Sequence, residues 1–318
     1  MIRKFAYNKI FRTSGMLFLF LFLLLFPVSK EYSLKDNITK NTIMTTKKSY
    51  IYLIDKNGYV ARSEVQLSSS DTKTYIENIL KLLVIGGSLE DKLPNGFKAI
   101  LPIDTKILDI ILKDDFASID FSSEFLELNE VDFNKAISAI TYNLTSLDKI
   151  KKVYIKVNGK LLNSMPKFKK IINQPFSRKD GINKVYDFDS YKNVTGVTVY
   201  YLNKNNNYFY YVPVTRMVND DREKIKIIID ELTSSNIYET NLMSFLNYNA
   251  KLLDYKFENE KLILNFNNYL LDDENSMKVL EEVIYSISFS IQDNYDVKEV
   301  VFNVNGKEIT KSVLKNIE

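Results

Sequence analysis

Cysteine, histidine and tryptophan are all absent from this chain of 318 residues. Without thiolate or imidazole side chains, it cannot form a disulfide, a structural zinc site, or a catalytic pair that uses cysteine or histidine. Any metal would have to be bound by carboxylates and amides, which favours calcium or magnesium. We therefore predict no catalytic residues, no metal site and no cofactor, and a fold that is stabilised by packing alone.

A basic face is missing too, although the net charge of the chain is +3. Five basic residues precede position 31, where the chain has no acidic residue; they are Arg3, Lys4, Lys9, Arg12 and Lys30. Without these five, 38 of the 43 basic side chains remain against 40 acidic ones, a net charge of −2. Such a body has little general attraction for nucleic acid, which we exclude as a partner.

One long apolar run follows the first basic residues. Met16 to Val28 is a stretch of 13 residues, mostly leucine and phenylalanine, and this layout is typical of a secretory signal or an amino-terminal anchor. Lys30 stands where a cleavage site needs a small side chain, so we favour an uncleaved anchor over a removed signal peptide. We predict a signal or membrane anchor at residues 1–30, a flexible stalk at 31–47, and domains outside the cytoplasm; cleavage would instead make the protein secreted.

The chain also contains a long internal repeat. Its clearest matches are Tyr52-Leu53 with Tyr201-Leu202, Lys106–Asp109 with Lys251–Asp254, and Val157–Lys160 with Val304–Lys307, at offsets of 149, 145 and 147. A repeat of this length is typical of tandem globular domains. We predict domains at residues 48–162 and 197–311, joined by a linker at 163–196. The linker is either a solvated tether or an ordered arm that fixes the angle between the domains or meets an acidic partner.

Hydrophobic periodicity predicts the order β-β-α-β-β-α-β in each copy, an α+β fold with two helices on one face of a mixed sheet. The first helix buries Ile76, Ile79, Leu80 and Leu83 in copy one, and Ile225, Ile228, Ile229 and Leu232 in copy two. The second helix buries Ala136, Ile137, Ile140 and Leu144, which we align with Val279, Leu280, Val283 and Ile287 at an offset of 143. Asp71 is predicted to begin the first helix of copy one, and Asp220 with Glu223 to form a capping box in copy two.

Several short motifs together resemble the GerM domain. They are Leu101-Pro102 with Thr105, Asp120-Phe121-Ser122, Ile140–Thr145, Val157–Lys160, and Pro175–Asn183 after the first copy. This resemblance covers about residues 48–310 and implies a fold similar to ring-building modules of multi-protein secretion assemblies. It also implies a role in sporulation and germination.

The resemblance implies a non-enzymatic, membrane-tethered scaffold or assembly protein of the envelope apparatus that connects mother cell and forespore. Its partners would be other envelope proteins, bound through sheet edges and one helix face of each domain. The alternative is a module that binds peptidoglycan or spore-cortex glycan. It depends on an aromatic cluster, Tyr200-Tyr201 and Tyr208–Tyr211, which is explained either by cross-strand packing or by a contact surface. Loss of binding to sacculi on mutating Tyr208 and Tyr210 would favour glycan binding.

The repeat contains few side chains that could carry out catalysis. Asp109 and Asp254 belong to separate domains, so we expect them at solvent-facing strand positions rather than in one carboxylate pair. Asp120 becomes Asn265 in the second copy, and Ser122-Ser123 becomes Asn267-Asn268. These changes remove the groups that a shared catalytic role would need. Wall hydrolysis would require two carboxyl groups in one cleft; we predict that the protein is not an enzyme.

Overall fold

The computed structural model describes residues 47–67, 69, 71–234 and 241–313. The predicted anchor, and all but the last residue of the predicted stalk, lie outside these ranges. Within them, no helix combines the length and the apolar character needed to cross a bilayer.

Both copies have the predicted order of elements, with an added strand after each closing Asn-Gly turn and, in copy one, a further two-residue strand after the first helix. Copy one contains β1 (Lys47–Asp55), β2 (Val60–Leu67), α1 (Thr72–Leu82), β3 (Phe97–Lys98), β4 (Ile107–Lys113), β5 (Phe116–Phe121), α2 (Glu130–Leu144), β6 (Lys152–Val157) and β7 (Lys160–Leu161). Next come β8 (Ser164–Met165), β9 (Lys170–Ile171) and β10 (Val185–Asp187). Copy two contains β11 (Thr195–Asn205), β12 (Tyr208–Val218), α3 (Lys224–Thr233), β13 (Leu252–Glu258), β14 (Lys261–Phe266), α4 (Glu281–Asn294), β15 (Glu299–Val304) and β16 (Lys307–Val313).

Each copy closes with a mixed four-stranded sheet, in the order β4-β5-β6-β7 and β13-β14-β15-β16. The two middle strands of each sheet are parallel, and the outer strands pair antiparallel to them. A parallel pair needs a long crossover, which α2 and α4 provide. The strands β4 and β13 lie at one edge of their sheets.

The opening hairpins of the two copies join into one six-stranded sheet. Its path runs β10-β12-β2-β1-β3, and β11 pairs with β12 along its full length. The connection between the copies is a single antiparallel pair, Tyr211 with Arg62. Each copy has its own hydrophobic core, yet Ala61 of β2 is buried within the core of copy two. The copies therefore share a sheet and an apolar contact.

The segment 163–196 is an ordered arm, so the tether interpretation is wrong. The strands β8 and β9 pair with each other, and β10 pairs in parallel with β12. A short 3-10 turn at Arg178–Asp180 is closed by a capping box between Ser177 and Asp180. The main-chain N–H of Ile182 donates to Oγ1 of Thr215 in β12 at 2.9 Å. The main-chain N–H of Thr215 donates in return to the carbonyl of Ile182 at 2.8 Å.

The predicted capping of the first helices is confirmed in copy one and wrong in copy two. Asp71 accepts a hydrogen bond from the N–H of Thr74 at 2.9 Å. In copy two the helix begins later, at Lys224, with Glu223 before it and no side-chain cap. Asp220 instead binds the main chain and guanidinium of Arg222. The helical N–H of Ile225 is satisfied from outside the helix, by the hydroxyl of Tyr295 at 2.9 Å.

The alignment of the second helices at an offset of 143 is also wrong. Because α4 begins at Glu281, Val279 and Leu280 precede it. The buried side chains correspond at an offset of 147 instead, as in Ala136 with Val283, Ile140 with Ile287 and Leu144 with Ile291. Positions four residues apart lie on the same helical face, so hydrophobic periodicity alone does not distinguish the two alignments.

Gly181 fixes the arm against β12, and we predict that Gly181→Ala lowers the free energy of unfolding by about 2–4 kcal/mol. Its φ is +75°, and an added Cβ would lie 2.9 Å from Oγ1 of Thr215. The matched control is Gly159→Ala, with φ of +79° and open space around its Cβ, which should cost only the backbone term of about 1–2 kcal/mol. Urea unfolding measures both. Equal losses would show that close packing at Gly181 does not matter.

Candidate functional site: the junction between the two copies

A largely buried ion pair lies at the centre of the junction. Arg178 from the arm pairs with Asp293 of α4, whose side chain is only 2% exposed. The same guanidinium donates to Oγ1 of Thr145 at 3.0 Å and to Oγ of Ser146 at 2.9 Å, just after α2. One side chain therefore connects the arm to both copies.

Tyrosines complete the surroundings of this ion pair. The hydroxyls of Tyr52 and Tyr200 lie 2.8 Å apart, and Tyr200 donates to Oδ2 of Asp293 at 3.0 Å. The guanidinium of Arg178 lies 4.5 Å from the ring centre of Tyr142. A buried charge pair is favourable only when further hydrogen bonds satisfy its remaining lone pairs and protons, and these contacts supply them.

Burial determines the titration of this cluster. It raises the pKa of Asp293, against the opposing effect of Arg178. Burial disfavours the Arg178 charge, but Asp293 and the neighbouring tyrosines raise the pKa of the guanidinium well above its ordinary value overall. Burial, and then the charge of Asp293, also raise the pKa of Tyr200 well above 10.0. Arg178 and Tyr200 therefore keep their protons and act as donors.

Helix side chains hold both tyrosines by their main chain. Asn143 of α2 accepts from the N–H of Tyr52 at 2.8 Å and donates to its carbonyl at 2.9 Å. In copy two, Oγ of Ser290 accepts from the N–H of Tyr200 at 2.8 Å. Asn143 and Ser290 are separated by the 147-residue offset of the helices, so the two copies use equivalent positions to hold β1 and β11.

A second polar contact joins the turn of the first hairpin to copy two. Asp55 is completely buried, and its Oδ1 accepts from the main-chain N–H groups of Asn57 and Tyr59. Its Oδ2 accepts from Nδ2 of Asn203 at 3.0 Å and from the hydroxyl of Tyr210 at 2.9 Å. Burial and the neighbouring Asp55 raise the pKa of Tyr210, which keeps this hydroxyl protonated. The carboxylate thus shapes the turn and binds the other copy.

Asn183 bridges the two hairpins beside the Tyr211–Arg62 pair. Its side-chain amide binds both main-chain groups of Val60, at 3.0 and 2.8 Å, and donates to the carbonyl of Pro213 at 2.7 Å. Proline has no N–H and cannot continue a ladder of main-chain hydrogen bonds. The amide of Asn183 occupies the place where strand pairing stops.

On the other side of the Tyr211–Arg62 pair lies a groove of about 490 Å³, which we call the aromatic groove. The guanidinium of Arg62 lies between two rings, 4.4 Å from the ring centre of Tyr50 and 4.1 Å from that of Phe289. The residues that line the groove are Tyr50, Arg62, Glu64, Tyr208, Phe209, Tyr210, Tyr211, Glu281, Glu282, Tyr285, Phe289, Gln292, Ser312 and Val313.

The predicted aromatic cluster divides between the junction and this groove. Tyr200, Tyr201 and Tyr210 are buried, as the cross-strand packing interpretation predicts. Tyr208 is 47% exposed, and Tyr211 is half-buried beside it. Only part of the cluster is therefore available to a ligand.

The structure does not bring Asp109 and Asp254 together. Each is exposed near the beginning of an edge strand, as expected, and the two strands belong to different sheets. Asp109 lies 3.5 Å from the ammonium of Lys73, and Asp254 accepts from Nδ2 of Asn265 at 2.8 Å.

The other repeated polar positions have structural roles that tolerate their substitution. Asp120 accepts from the N–H of Gly159 at 2.9 Å, and Asn265 accepts from the N–H of Gly306 at 2.8 Å. Either an acid or an amide oxygen can hold this closing turn. Similarly, Ser122 and Asn267 accept from the main-chain N–H of Lys106 and Lys251, at 2.9 and 3.0 Å.

In the part of the chain that the structure describes, no group of acidic side chains is arranged to hold a metal ion. The two carboxylates that are buried at the junction, Asp55 and Asp293, are occupied by hydrogen bonds to the protein.

The edge strands β4 and β13 expose matching apolar side chains. The pairing of each strand is interrupted by a bulge, at Leu108 in β4 and at Leu253 in β13. These leucines are 49% and 51% exposed, and Leu112 and Phe257, four residues later in each strand, are 39% and 48% exposed. Both copies therefore present the same irregular apolar edge.

Comparison with known proteins agrees with this duplicated architecture. Residues 50–163 and 198–310 match the family described as "Germane: Sporulation and spore germination". The chain belongs to the Germane family. Its sequence is 34% identical, over 282 residues, to the spore germination protein GerM of Bacillus subtilis (strain 168), covering 87% of this chain and 76% of that protein.

A solved structure supports the same conclusion for the Germane fold. The tandem GerMN domains of the sporulation protein GerM from Bacillus subtilis superimpose with a TM-score of 0.73 at 33% identity, covering 83% of this chain and 92% of that one. The resemblance to the GerM domain and the prediction of two tandem α+β domains are confirmed.

Sequence reasoning missed most of the junction of this Germane protein. Arg178 and Asn183 lie in the Pro175–Asn183 segment that carries the family resemblance, and that segment was the available signal. Asp293 had no such sequence signal, because a lone carboxylate near the end of a helix is typical of an exposed face.

Arg178→Met should lower the free energy of unfolding by about 3–5 kcal/mol, because it leaves Asp293 buried without its counter-ion. The control is Lys81→Met, which breaks an i,i+4 pair with Glu77 in which the two side chains are 39% and 42% exposed and should cost less than about 1 kcal/mol. Urea unfolding at neutral pH measures both. The double variant Arg178→Met/Asp293→Leu should recover part of the loss, and a single variant as mild as the control would contradict the assignment.

Proposed function

We propose that this protein is a non-enzymatic scaffold of a sporulation envelope complex between mother cell and forespore. Residues 1–30 would tether it to the membrane, with both Germane copies outside the cytoplasm and other envelope proteins as partners. The observation that carries the proposal is the matching apolar edge on two copies that are joined by buried contacts.

The junction supports a scaffold because it fixes one copy relative to the other. The contacts of Arg178, Asp55 and Asn183 are hydrogen-bonded and largely shielded from water, and each connects separate parts of the chain. Domains joined by a solvated tether would move independently. A protein that positions partners benefits from the fixed arrangement.

The edge strands supply surfaces that suit protein partners. An edge strand offers unpaired main-chain groups, and exposed apolar side chains add contact area. The bulges at Leu108 and Leu253 twist the edge and oppose indiscriminate strand pairing. Such an edge favours partners with a complementary shape over general aggregation.

Binding of peptidoglycan or spore-cortex glycan is the alternative hypothesis. The structure indicates which of the two tyrosines is suitable for testing it. Tyr210 is buried against Asp55, so its substitution would disturb the junction itself. Tyr208, which is half-exposed in the aromatic groove, is the suitable residue. Retention of the protein on sacculi, lost in Tyr208→Ala, would favour glycan binding.

Site-specific photo-cross-linking in sporulating cells tests the scaffold proposal. With the cross-linking residue placed at Leu112 or Phe257 of the full chain, we expect discrete adducts with envelope proteins. Adding Leu108→Asp and Leu253→Asp should reduce these adducts by about fivefold or more, the equivalent of about 1 kcal/mol of binding energy.

The matched control places the same reagent at Tyr191 in the arm, which is 92% exposed and belongs to neither an edge strand nor a helix. Few adducts are expected there. Equal cross-linking from Tyr191, or capture of wall fragments alone from the edge positions, would overturn the proposal.

A further inference from the structure

The two copies meet through equivalent residues. Tyr52 and Tyr200 are equivalent, because Asn143 and Ser290 hold their main chains in the same way. Their hydroxyls lie 2.8 Å apart, at a sequence separation of 148. Contact between equivalent residues is typical of an isologous interface, in which a twofold axis relates the two sides.

A second contact of this kind lies on the other face of the shared sheet. Asp55 accepts from Nδ2 of Asn203 at 3.0 Å, again at a separation of 148. Tyr52 and Asp55 are three positions apart in β1, so their side chains point to opposite faces. The strands β2 and β12, which join the two hairpins, are antiparallel, as a twofold axis between them requires. A pseudo-twofold axis therefore passes through the sheet and relates copy one to copy two.

This axis makes the edge strands β4 and β13 equivalent, and both lie away from the junction. In copy one, the arm pairs with β6 through Phe176 and Val153, on the side of the sheet opposite β4. In copy two, Ser312 and Val313 of β16 line the aromatic groove, at the edge opposite β13. No strand of the described residues pairs with the outer side of β4 or β13. Two partners can therefore bind there without disturbing the junction.

The two edges share their exposed apolar positions. Leu108 corresponds to Leu253, and Leu112 to Phe257, both at an offset of 145, and all four side chains are between 39% and 51% exposed. The bulge falls at the same position in each strand. A partner surface that fits one edge therefore finds the same apolar contacts, at the same irregularity of the strand, on the other.

The charges beside these positions are not shared. Lys113 follows Leu112 in copy one, whereas Glu258 follows Phe257 in copy two, and both charged side chains are exposed. One partner surface cannot complement both signs of charge. It can accept the same apolar side chains at both edges, so the feature that the edges have in common is an apolar contact.

We infer that the two edges bind two copies of one partner protein, each through an apolar surface, related by the pseudo-twofold axis of the chain. A twofold axis presents the same site twice, and two unrelated partners would not require matching edges. The inference rests on the proposed function, because it specifies the partners at the edge strands as one protein with two copies per chain.

The test is photo-cross-linking of the full chain in sporulating cells, with benzoylphenylalanine at Leu112, at Phe257, or at both positions. We expect adducts of the same size from the two single positions, and peptide mass spectrometry should identify the same captured protein in both. The double position should add a larger adduct that contains two copies of that protein.

Matched variants test whether each edge is a separate site. Leu108→Asp should reduce the adducts from Leu112 about fivefold or more, the equivalent of about 1 kcal/mol of binding energy. It should leave the adducts from Phe257 within about twofold, because independent sites do not couple. Leu253→Asp should have the reverse effect. Both leucines are about half exposed, and urea unfolding should confirm that each variant is folded.

Different captured proteins at the two edges, or adducts at one edge alone, would overturn the inference and leave the proposed function standing. A double position that never captures more than one copy would do the same. Capture of another molecule of this chain would also overturn the inference, because the partner is inferred to be a different protein. If neither edge forms adducts, the proposed function fails and the inference fails with it.

Discussion

The contact between Arg178 and Asp293 determines how the rest of the molecule is arranged, because it joins the arm, the end of α2 and the last turn of α4. Removing two charges from water is costly, and the cost is offset only where each remaining donor and acceptor is satisfied. Here the tyrosine and serine hydroxyls and the face of the Tyr142 ring surround the pair. Partners at wrong distances would leave a charge unsatisfied, so the ion pair specifies one arrangement of the copies.

A chain without cysteine and histidine builds this junction from a small set of groups. Arginine, tyrosine and asparagine supply donors, while Asp55 and Asp293 accept. Burial raises the pKa of Tyr200 and Tyr210, so these donors do not ionise near neutral pH. The junction is held by hydrogen bonds and packing, without a redox or metal link in the described residues.

The sheet edges at the junction and the exposed sheet edges differ in how further strand pairing is limited. The strands β2 and β12 would each offer an open edge if the copies were apart, and the Tyr211–Arg62 pair with Asn183 covers part of both. The exposed edges β4 and β13 carry bulges instead. Edges are thus closed where the copies meet and made irregular where partners are proposed to bind.

Local patterns predicted the parts of the fold that depend on local physics. Alternation along β5 and β14, the helical stripe with Ile76 and Ile79, and the turn at Asn158-Gly159 depend on neighbours in the sequence, and each was found. The predicted start of α3 was wrong, because the group that satisfies the N–H of Ile225, the hydroxyl of Tyr295, is distant in sequence. The predicted alignment of α4 was wrong, because a shift of four residues keeps the same helical face and leaves the hydrophobic periodicity nearly unchanged.

The junction was beyond sequence reasoning for the same reason. The partners of Arg178 and Asp55 lie 115 and 148 to 155 positions away. For the candidate site, the sequence showed that tyrosines cluster on the first hairpin of copy two, but not which of these side chains are buried. Coverage is decided by the pairing of the two hairpins, and a single main-chain pair has no signature in composition or periodicity.

The distance along the chain between the hairpins has a consequence for biosynthesis. A ribosome completes β1 and β2 long before residues 195–218 exist, since synthesis proceeds from the amino end. During that interval Oδ2 of Asp55 and the hydroxyl of Tyr52 lack the partners that copy two supplies, and Ala61 lacks its apolar cover. In the nascent first copy, the side that faces copy two is therefore incompletely buried until β11 and β12 fold against it.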